Sequence, residues 1–438
     1  MNDAQHTIES VYREHASKVL AVLVRIFGTS NLELAEDVLQ DTFRKAMTAW
    51  SETGVPERPA AWVLTAARNQ AIDVIRSQRT QTKFAGDLSR RLESDWTLSH
   101  TIDAEFTGPK IQDDQLRMMF MCAGADITPE NRIPLILRTL CGFSIPAISR
   151  ALFLPEATVK KRLLRTRERL AGREFALPPL GELPSSMDSV HIVIYLLFNE
   201  GFHSSEDGRA MNLELCQEAL LLADTLLAEP RIVNQDTFGL IALMQFHVAR
   251  ASARTDEEGH NVTLDQQDRS RWDAERITLA EGFLRFAPHT PPGASGRFLL
   301  EARIASEHCR APAFQDTDWQ TIVYLYGKLV EITGSPIARL NEAVAIAYAG
   351  DTEGAIDRVT ALADDPILRG SHLPLATLAH LHAMRGDSRR AEHFVRESMS
   401  RGGTAEEQRT LRLQVERLLN GTGRTTAPQE HDGAVPPE

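Results

Sequence analysis

The chain has 438 residues, of which 42% are hydrophobic and 25% are charged, and its formal net charge is −12. This length exceeds one ordinary domain, and the composition can bury a core, which excludes a wholly disordered chain and predicts several domains. Charged residues interrupt the apolar positions of the first thirty residues, and no run of eighteen apolar residues occurs. We therefore expect neither a secretory leader nor a membrane-spanning helix.

Charge and cysteine distribution narrow the function further. Residues 1–175 carry a net charge of +2 and residues 176–438 carry −14, which indicates that nucleic acid meets only the front of the chain.

The four cysteines lie far apart without C-x-x-C spacing, so we interpret them as small buried hydrophobes in a reducing cytoplasm, with no metal site and no cofactor. They are Cys122, Cys141, Cys216 and Cys309.

Apolar residues at spacings of three and four predict helices along almost the whole chain. A first helix covers about 8–26, and Ser30 with Glu33 forms a capping-box pattern at the start of the second. Glycine and proline mark a loop over 52–59, after which a third helix runs over about 60–79. The expected fold class is therefore all-α.

Breaks in the helical pattern predict five segments. Two small helical domains, 1–83 and 111–175, are joined by a linker at 84–110. A larger α-helical domain follows at 185–420, and a Gly/Thr/Pro-rich tail at 421–438 is expected to be disordered.

The end of the large domain contains a weak internal repeat. Five residues recur 36 positions later, with a Gly-Asp pair between two helical stretches, and this period is typical of tetratricopeptide-like helix pairs. The first copy is Ala347, Gly350, Asp351, Ala355 and Val359, and the second is Ala383, Gly386, Asp387, Ala391 and Val395.

Residues 144–173 have the pattern of a helix-turn-helix. Ser144 can cap a short helix over 145–152, a break follows, and the next helix places Val159, Leu163 and Leu170 on one apolar stripe. Seven basic residues and one acidic residue lie between Lys160 and Arg173, which suits the phosphates and guanines of the major groove. The alternative interpretation is a solvated helix with a charged face.

A second basic strip occupies residues 60–83. Its cations lie near an aromatic ring and an amide, Trp62 and Asn69, and such a mixture suits a splayed single strand. Trp62 can equally belong to the core. The helix before it has the opposite charge, because residues 31–43 contain four acids and no cation. We interpret that helix as a docking surface for a basic protein.

The order of these pieces resembles one family. An acidic helix at 34–43 (LAEDVLQDTF) precedes a basic helix at 61–76 (AWVLTAARNQAIDVIR), and a helix-turn-helix ends at 157–170 (ATVKKRLLRTRERL). Across about 1–175 the chain is similar to the extracytoplasmic-function sigma factors of bacteria, the smallest sigma-70 type. The segment 153–156 (FLPE) departs from the glycine-containing turn of many relatives, which affects the pose of the recognition helix.

The resemblance implies that the chain binds RNA polymerase core and directs it to promoter DNA, both duplex and melted, without catalysis of its own. It also implies that the linker threads toward the active cleft. The residues expected to contact the clamp helices of the largest polymerase subunit are Leu34, Glu36, Asp37, Gln40, Asp41 and Phe43. Those expected at the downstream promoter element are the loop 51–59 with Trp62, Arg68, Asn69, Asp73 and Arg76. Those expected at the upstream element are Thr158, Lys160, Lys161, Arg162, Leu164 and Arg165.

The rear half resembles the C-terminal extension of one sigma subgroup. The segments that carry the resemblance are 199–202 (NEGF), 264–273 (LDQQDRSRWD), 316–319 (DTDW) and 335–345 (SPIARLNEAVA). It implies an appended tetratricopeptide-like domain that is regulatory or supports activity, often encoded beside DGPF-type proteins. A helical-repeat surface that is acidic overall would bind a protein or peptide.

Acids in the rear half could form a metal or acid–base cluster, or they could tie helices together through nearby Arg and Trp residues. We favour structural ties, and we interpret the histidines on apolar faces as core or rim residues. The acids are Glu200, Asp265, Asp268, Asp316 and Asp318, and the histidines are His191, His203 and His247.

Two other functions remain open from the sequence. A helix-turn-helix activator with a ligand-sensing or protein-sensing helical domain would bind duplex DNA alone and would not need the 34–43 helix. An enzyme localised by its front half would keep its turnover after deletion of 1–175.

Overall fold

The structure is a computed structural model, and it describes residues 3–80, 106, 108–124, 127–152, 154–177, 179, 183–202, 213–289, 296–362 and 365–422. Within these ranges the secondary structure is helical, and the only β-pairing is an isolated bridge between Thr255 and Asn261. The all-α prediction is therefore confirmed. Most of the expected linker, Phe153, His203 and nearly all of the expected tail lie outside the described residues.

Eighteen α-helices occupy the described ranges. The first nine are α1 (Asp3–Phe27), α2 (Leu32–Thr53), α3 (Pro59–Thr80), α4 (Gly108–Ala123), α5 (Pro129–Thr139), α6 (Ile145–Ala151), α7 (Glu156–Leu170), α8 (Leu183–Phe202) and α9 (Leu213–Leu227). The next nine are α10 (Gln235–Ala249), α11 (Ala274–Phe286), α12 (Arg297–Arg310), α13 (Trp319–Thr333), α14 (Pro336–Tyr348), α15 (Thr352–Leu362), α16 (Leu373–Met384), α17 (Ser388–Arg401) and α18 (Ala405–Thr422). None of these helices is long and apolar enough to cross a membrane.

Backbone contacts divide the chain into two compact units. The first contains Met1–Ser204 with Asn212–Ile232, and the second contains Ser205–Met211 with Val233–Glu438. Helices α8 and α9 therefore belong to the first unit, although the sequence suggests a boundary near residue 185.

The first unit begins with three helices, α1–α3, which we call the front lobe. Helix α1 packs on both α2 and α3. Trp50 of α2 is buried and meets Trp62 of α3 edge-on, with ring centroids 5.7 Å apart. The expected capping box is wrong, because residues Thr29–Asn31 form a 3-10 turn and α2 starts one residue later than Ser30 would require. Asn31 is the N-cap, and its side chain donates to the carbonyl of Phe27 instead.

Helices α4–α7 form the helix-turn-helix lobe, called the HTH lobe below. The Oγ of Ser144 accepts a hydrogen bond from the amide of Ala147 at 3.2 Å, so the expected cap of α6 is present. Val159, Leu163 and Leu170 of α7 are each at most 2% exposed, which confirms the predicted apolar stripe. That stripe faces α5 and α6, and it leaves the opposite side of α7 to solvent.

In the second unit, two successive helix pairs carry the predicted repeat. Gly350 and Gly386 both have positive φ, 109° and 80°, at the turn inside each pair, where a side chain would be strained. Asp351 and Asp387 follow them, and their carboxylates accept amide hydrogen bonds from Gly354 and Arg390 at the start of α15 and α17. The repeated alanine and valine positions are buried. The 36-residue repeat therefore corresponds to two pairs of helices, α14–α15 and α16–α17, and a short turn joins the two helices of each pair.

Candidate nucleic-acid and polymerase interface

Helix α7 presents the residues expected at the upstream promoter element. Lys160, Lys161, Leu164 and Arg165 are exposed, and Leu164 retains 54% of its accessible surface. Lys160 lies 3.7 Å from the Glu156 carboxylate, a pair that solvent screens because both side chains are about half exposed or more. The exposed side of α7 can therefore meet DNA without breaking a buried contact.

Two residues of the same set are less available. Arg162 is half-buried, and its Nη1 donates to the main-chain carbonyl of Glu130 in α5 at 3.0 Å. Thr158 is half-buried in the first turn of α7. Arg162 thus fixes α7 against α5 in this conformation, while its positive charge stays beside the exposed cations.

Helix α3 presents most of the residues expected at the downstream element. Asn69, Asp73 and Arg76 are exposed, and the guanidinium of Arg68 donates to the Oδ1 of Asn69 at 2.9 and 3.2 Å. This bond holds a cation and an amide side by side at the helix surface. Trp62 is half-buried against Trp50, so its ring belongs partly to the core.

The acidic helix α2 exposes only part of the expected polymerase contact. Asp37 and Gln40 are exposed, and Leu34 is half-buried. Asp41 accepts hydrogen bonds from Arg44 at 2.5 Å and from Gln70 at 3.1 Å. These four residues form a continuous surface along the outer side of α2, since they recur at helical spacing.

The other two residues of that set are buried. Phe43 is 4% exposed and packs edge-on against Tyr12, with ring centroids 4.6 Å apart. Glu36 is 3% exposed, and its Oε2 accepts hydrogen bonds from Arg138 at 2.9 Å and from Arg167 at 2.7 Å. In this conformation Phe43 is therefore a core residue, and Glu36 contacts the HTH lobe instead of solvent.

Family models match both lobes in order. A model described as sigma-70 region 2 matches residues 11–81, and one described as sigma-70, region 4 matches residues 117–170. The chain is 28% identical to RNA polymerase sigma factor CarQ of Myxococcus xanthus, over 41% of this chain and 92% of that protein. It is 29% identical to ECF RNA polymerase sigma factor SigL of Mycobacterium tuberculosis, over 36% of this chain and 82% of that protein.

The chain belongs to the extracytoplasmic-function sigma-70 family. It is therefore a transcription initiation factor that binds RNA polymerase core and promoter DNA, and it is not an enzyme. Its region 4 is the DNA-binding helix-turn-helix.

The sigma factor carries a helical extension beyond region 4. A model described as a family of unknown function, DUF6596, matches residues 186–287. An uncharacterized protein, R00370, of Rhizobium meliloti is 33% identical over 79% of this chain and 81% of its own length, so the similarity extends beyond the two sigma regions. No solved structure matches this sigma factor significantly.

The acids of the rear half have structural partners. Asp268 accepts from the amide of Ser270, and Asp318 accepts from the amide of Thr321 at the start of α13. Asp265 forms an ion pair with Arg417 of α18 at 2.6 Å. Of these three contacts, the Asp265–Arg417 pair joins two separate elements, as the structural ties favoured from the sequence would, whereas Asp268 and Asp318 cap their own turns. Arg269 bonds to main-chain carbonyls and lies 4.5 Å from the centre of the Trp272 ring.

The buried titratable groups also fit a structural role. Burial lowers the pKa of His191 to about 3, so the imidazole is neutral at pH 7. Burial raises the pKa of Cys122 to about 12, and this thiol lies 3.3 Å from the hydroxyl of Thr139. Cys141 and Cys216 are also buried and Cys309 is partly exposed, and all four cysteines are free thiols.

Two residues that contact the expected polymerase surface were missed from the sequence. Arg138 of α5 and Arg167 of α7 both bond to Glu36 of α2, across 102 and 131 residues of chain. Arg167 appeared only as one cation among seven, and Arg138 belongs to no motif identified in the sequence. Their selection of Glu36 depends on how the two lobes pack, which helical periodicity does not report.

Proposed function

We propose that this sigma factor docks on the clamp helices of the largest polymerase subunit through α2 and reads the two promoter elements through α7 and α3. The single observation that supports the proposal best is the exposed face of α7. Lys160, Lys161 and Arg165 project from a helix whose opposite stripe is buried in a helix-turn-helix. Arg and Lys at such positions recognise the paired acceptors of guanine in the major groove.

The downstream element is assigned to α3 on chemical grounds. The Arg68–Asn69 pair offers a positive charge for a backbone phosphate and an amide for a base edge. Arg76 adds a second exposed cation on the same helix. Melting is then driven by capture of unstacked bases. The half-buried Trp62 can take part only through its outer edge.

The extension supports a regulatory role in the cytoplasm, where RNA polymerase acts. Its two repeated helix pairs, α14–α15 and α16–α17, support a tetratricopeptide-like domain, and such surfaces bind proteins or peptides. The family model of unknown function matches residues 186–287, which precede these helix pairs in the chain. A DGPF-type protein or another regulatory protein is the partner we propose.

In vitro transcription with sigma-free core polymerase tests this function. Full-length protein is expected to give promoter-specific transcripts, and core alone is expected to give none. A truncation after Ile232 is the appropriate comparison, because α8 and α9 belong to the first unit. Transcripts from the truncation that exceed those of the full chain would assign restraint to the second unit, and fewer would assign activation. Duplex binding by the protein alone, with no transcript in the presence of core, would contradict the proposal.

A further inference from the structure

Helix α1 of the front lobe is also covered by helices of the HTH lobe. Six consecutive residues of α1, Val19–Val24, are each at most 1% exposed. Six residues pass around more than one full turn of helix, so every side of α1 is covered at this level. Helix α4 supplies part of that cover and α5 also touches α1. The two lobes therefore form one packed body within the first unit.

A buried ion cluster joins the lobes at the polymerase-binding helix. We call it the Glu36 clasp, and it consists of Glu36, Arg138 and Arg167. One carboxylate oxygen accepts from both guanidinium groups, at 2.9 and 2.7 Å, while Glu36 and Arg138 are nearly inaccessible. Arg167 also lies 3.8 Å from Glu33, one turn earlier on α2. Bidentate and multiple contacts of this kind are among the stronger charge-assisted bonds.

Contacts on the other side of the interface reinforce the clasp. The Tyr12 hydroxyl of α1 donates to the carbonyl of Gly142 at 2.7 Å, and burial raises the pKa of that hydroxyl, so it stays protonated. Gly142 has φ +74°, and a Cβ there would lie 3.0 Å from the Tyr12 ring. Arg25 of α1 reaches the fully buried Asp114 of α4 at 2.7 Å. The interface thus depends on several unrelated contacts, each specific in geometry.

We propose that the HTH lobe competes with RNA polymerase for the Glu33–Glu36 side of α2, so that the free sigma factor is closed and polymerase binding opens it. This inference rests on the proposed docking of α2. It also defines the partner chemistry, because a polymerase surface that replaces Arg138 and Arg167 must bring cations to a carboxylate that is otherwise desolvated. The open fraction of the free protein then sets the apparent affinity for core.

Arg167→Gln is the direct perturbation, because it removes one clasp donor from a side chain that is 22% exposed. Gly142→Ala is a second variant that leaves the charges unchanged and strains the same interface through Tyr12. Arg169→Gln is the matched control, since it removes the same charge from the same turn of α7, at an exposed residue outside the clasp. None of these residues belongs to the proposed polymerase or promoter contacts.

Two measurements are made on full-length protein. Energy transfer between dyes on cysteines introduced at the exposed Lys45 and Glu168 reports closure of the free protein. Affinity for core polymerase is measured without DNA, so that a lost phosphate contact has no influence. Arg167→Gln and Gly142→Ala are expected to lower the transfer and to tighten core binding by roughly tenfold, because a larger fraction is already open. The control is expected to change neither quantity, and core is expected to lower the transfer of the parent protein.

The results separate this inference from the proposed function. Unchanged core affinity in variants with lowered transfer would overturn the competition, and so would core binding to the parent protein without a change in transfer. Tighter binding in the control as well would assign the effect to charge alone and would also overturn it. Failure of every variant and of the parent protein to bind core would refute the proposed function itself.

Discussion

The double substitution Lys160→Ala/Arg165→Ala is expected to weaken promoter recognition selectively. Both side chains are exposed on α7, and Lys160, which is 61% exposed, pairs within the described part of the chain only with Glu156, which solvent screens. Their loss should therefore change the free energy of unfolding by less than about 0.5 kcal/mol. Each bidentate base contact contributes about 1–3 kcal/mol of discrimination, so the pair should cost at least about 2 kcal/mol, or roughly thirtyfold in affinity.

The assay compares holoenzyme binding to a promoter fragment and to the same fragment with a scrambled upstream element, at two salt concentrations. The ratio of the two affinities, promoter over scrambled fragment, should fall by roughly thirtyfold, while the affinity for core polymerase stays unchanged. Arg396→Ala is the control, because Arg396 is 70% exposed on α17 of the second unit. An equal loss on both fragments would show that the two cations contact only phosphates. An equal loss of core binding would refute the division of roles between α7 and α2.

Two further predictions concern stability. Between pH 7 and pH 5, helix α8 should lose about 2 kcal/mol of protection against hydrogen exchange because of His191. The pKa of His191 is about 3 in the folded protein and about 6.5 in the unfolded chain, so unfolding takes up a proton in this pH range. His191→Leu should remove this pH dependence, and an unchanged pH dependence in that variant would contradict the prediction. Gly239→Ala should destabilise the second unit by about 1–3 kcal/mol, because a Cβ at this position of α10 would lie 2.4 Å from the main-chain nitrogen of Leu299 in α12. Denaturant titration measures this loss, and an unshifted unfolding transition would contradict the close packing of α10 on α12.

Local features of the fold were predictable because they depend on spacing along one helix. The stripe Val159, Leu163 and Leu170 is buried as expected, and Ser144 caps α6 as expected. Asp268 and Asp318 each precede a helical turn and accept a hydrogen bond from a main-chain amide of that turn. Aspartate is a preferred residue at the start of a helix for this reason.

The pairing of the two lobes was not predictable from the same signals. Periodicity indicates that a face is buried but not what covers it, and Glu36 finds its partners more than a hundred residues away. One signal was present in the sequence, because the run Val19–Val24 is apolar on every side of α1. A helix at the surface of a small isolated domain would keep a polar side, so this run indicated a second covering element.

The capping-box prediction failed for a local reason. Ser30 and Glu33 have the correct spacing, but residues Thr29–Asn31 form a 3-10 turn that moves the helix start to Leu32. Glu33 then lies too early in the helix to reach back to the capping residue. Short turns of this kind depend on how α1 and α2 pack, which two residues cannot specify.

Association with polymerase tests the central claim most directly. Purified full-length protein is mixed with sigma-free core polymerase and the mixture is separated by size-exclusion chromatography. Co-elution at a one-to-one ratio is the predicted result, and Asp37→Ala/Gln40→Ala on the exposed side of α2 is expected to weaken it. Elution of the two components at their separate volumes would contradict the claim that this chain is the promoter-recognition subunit of RNA polymerase.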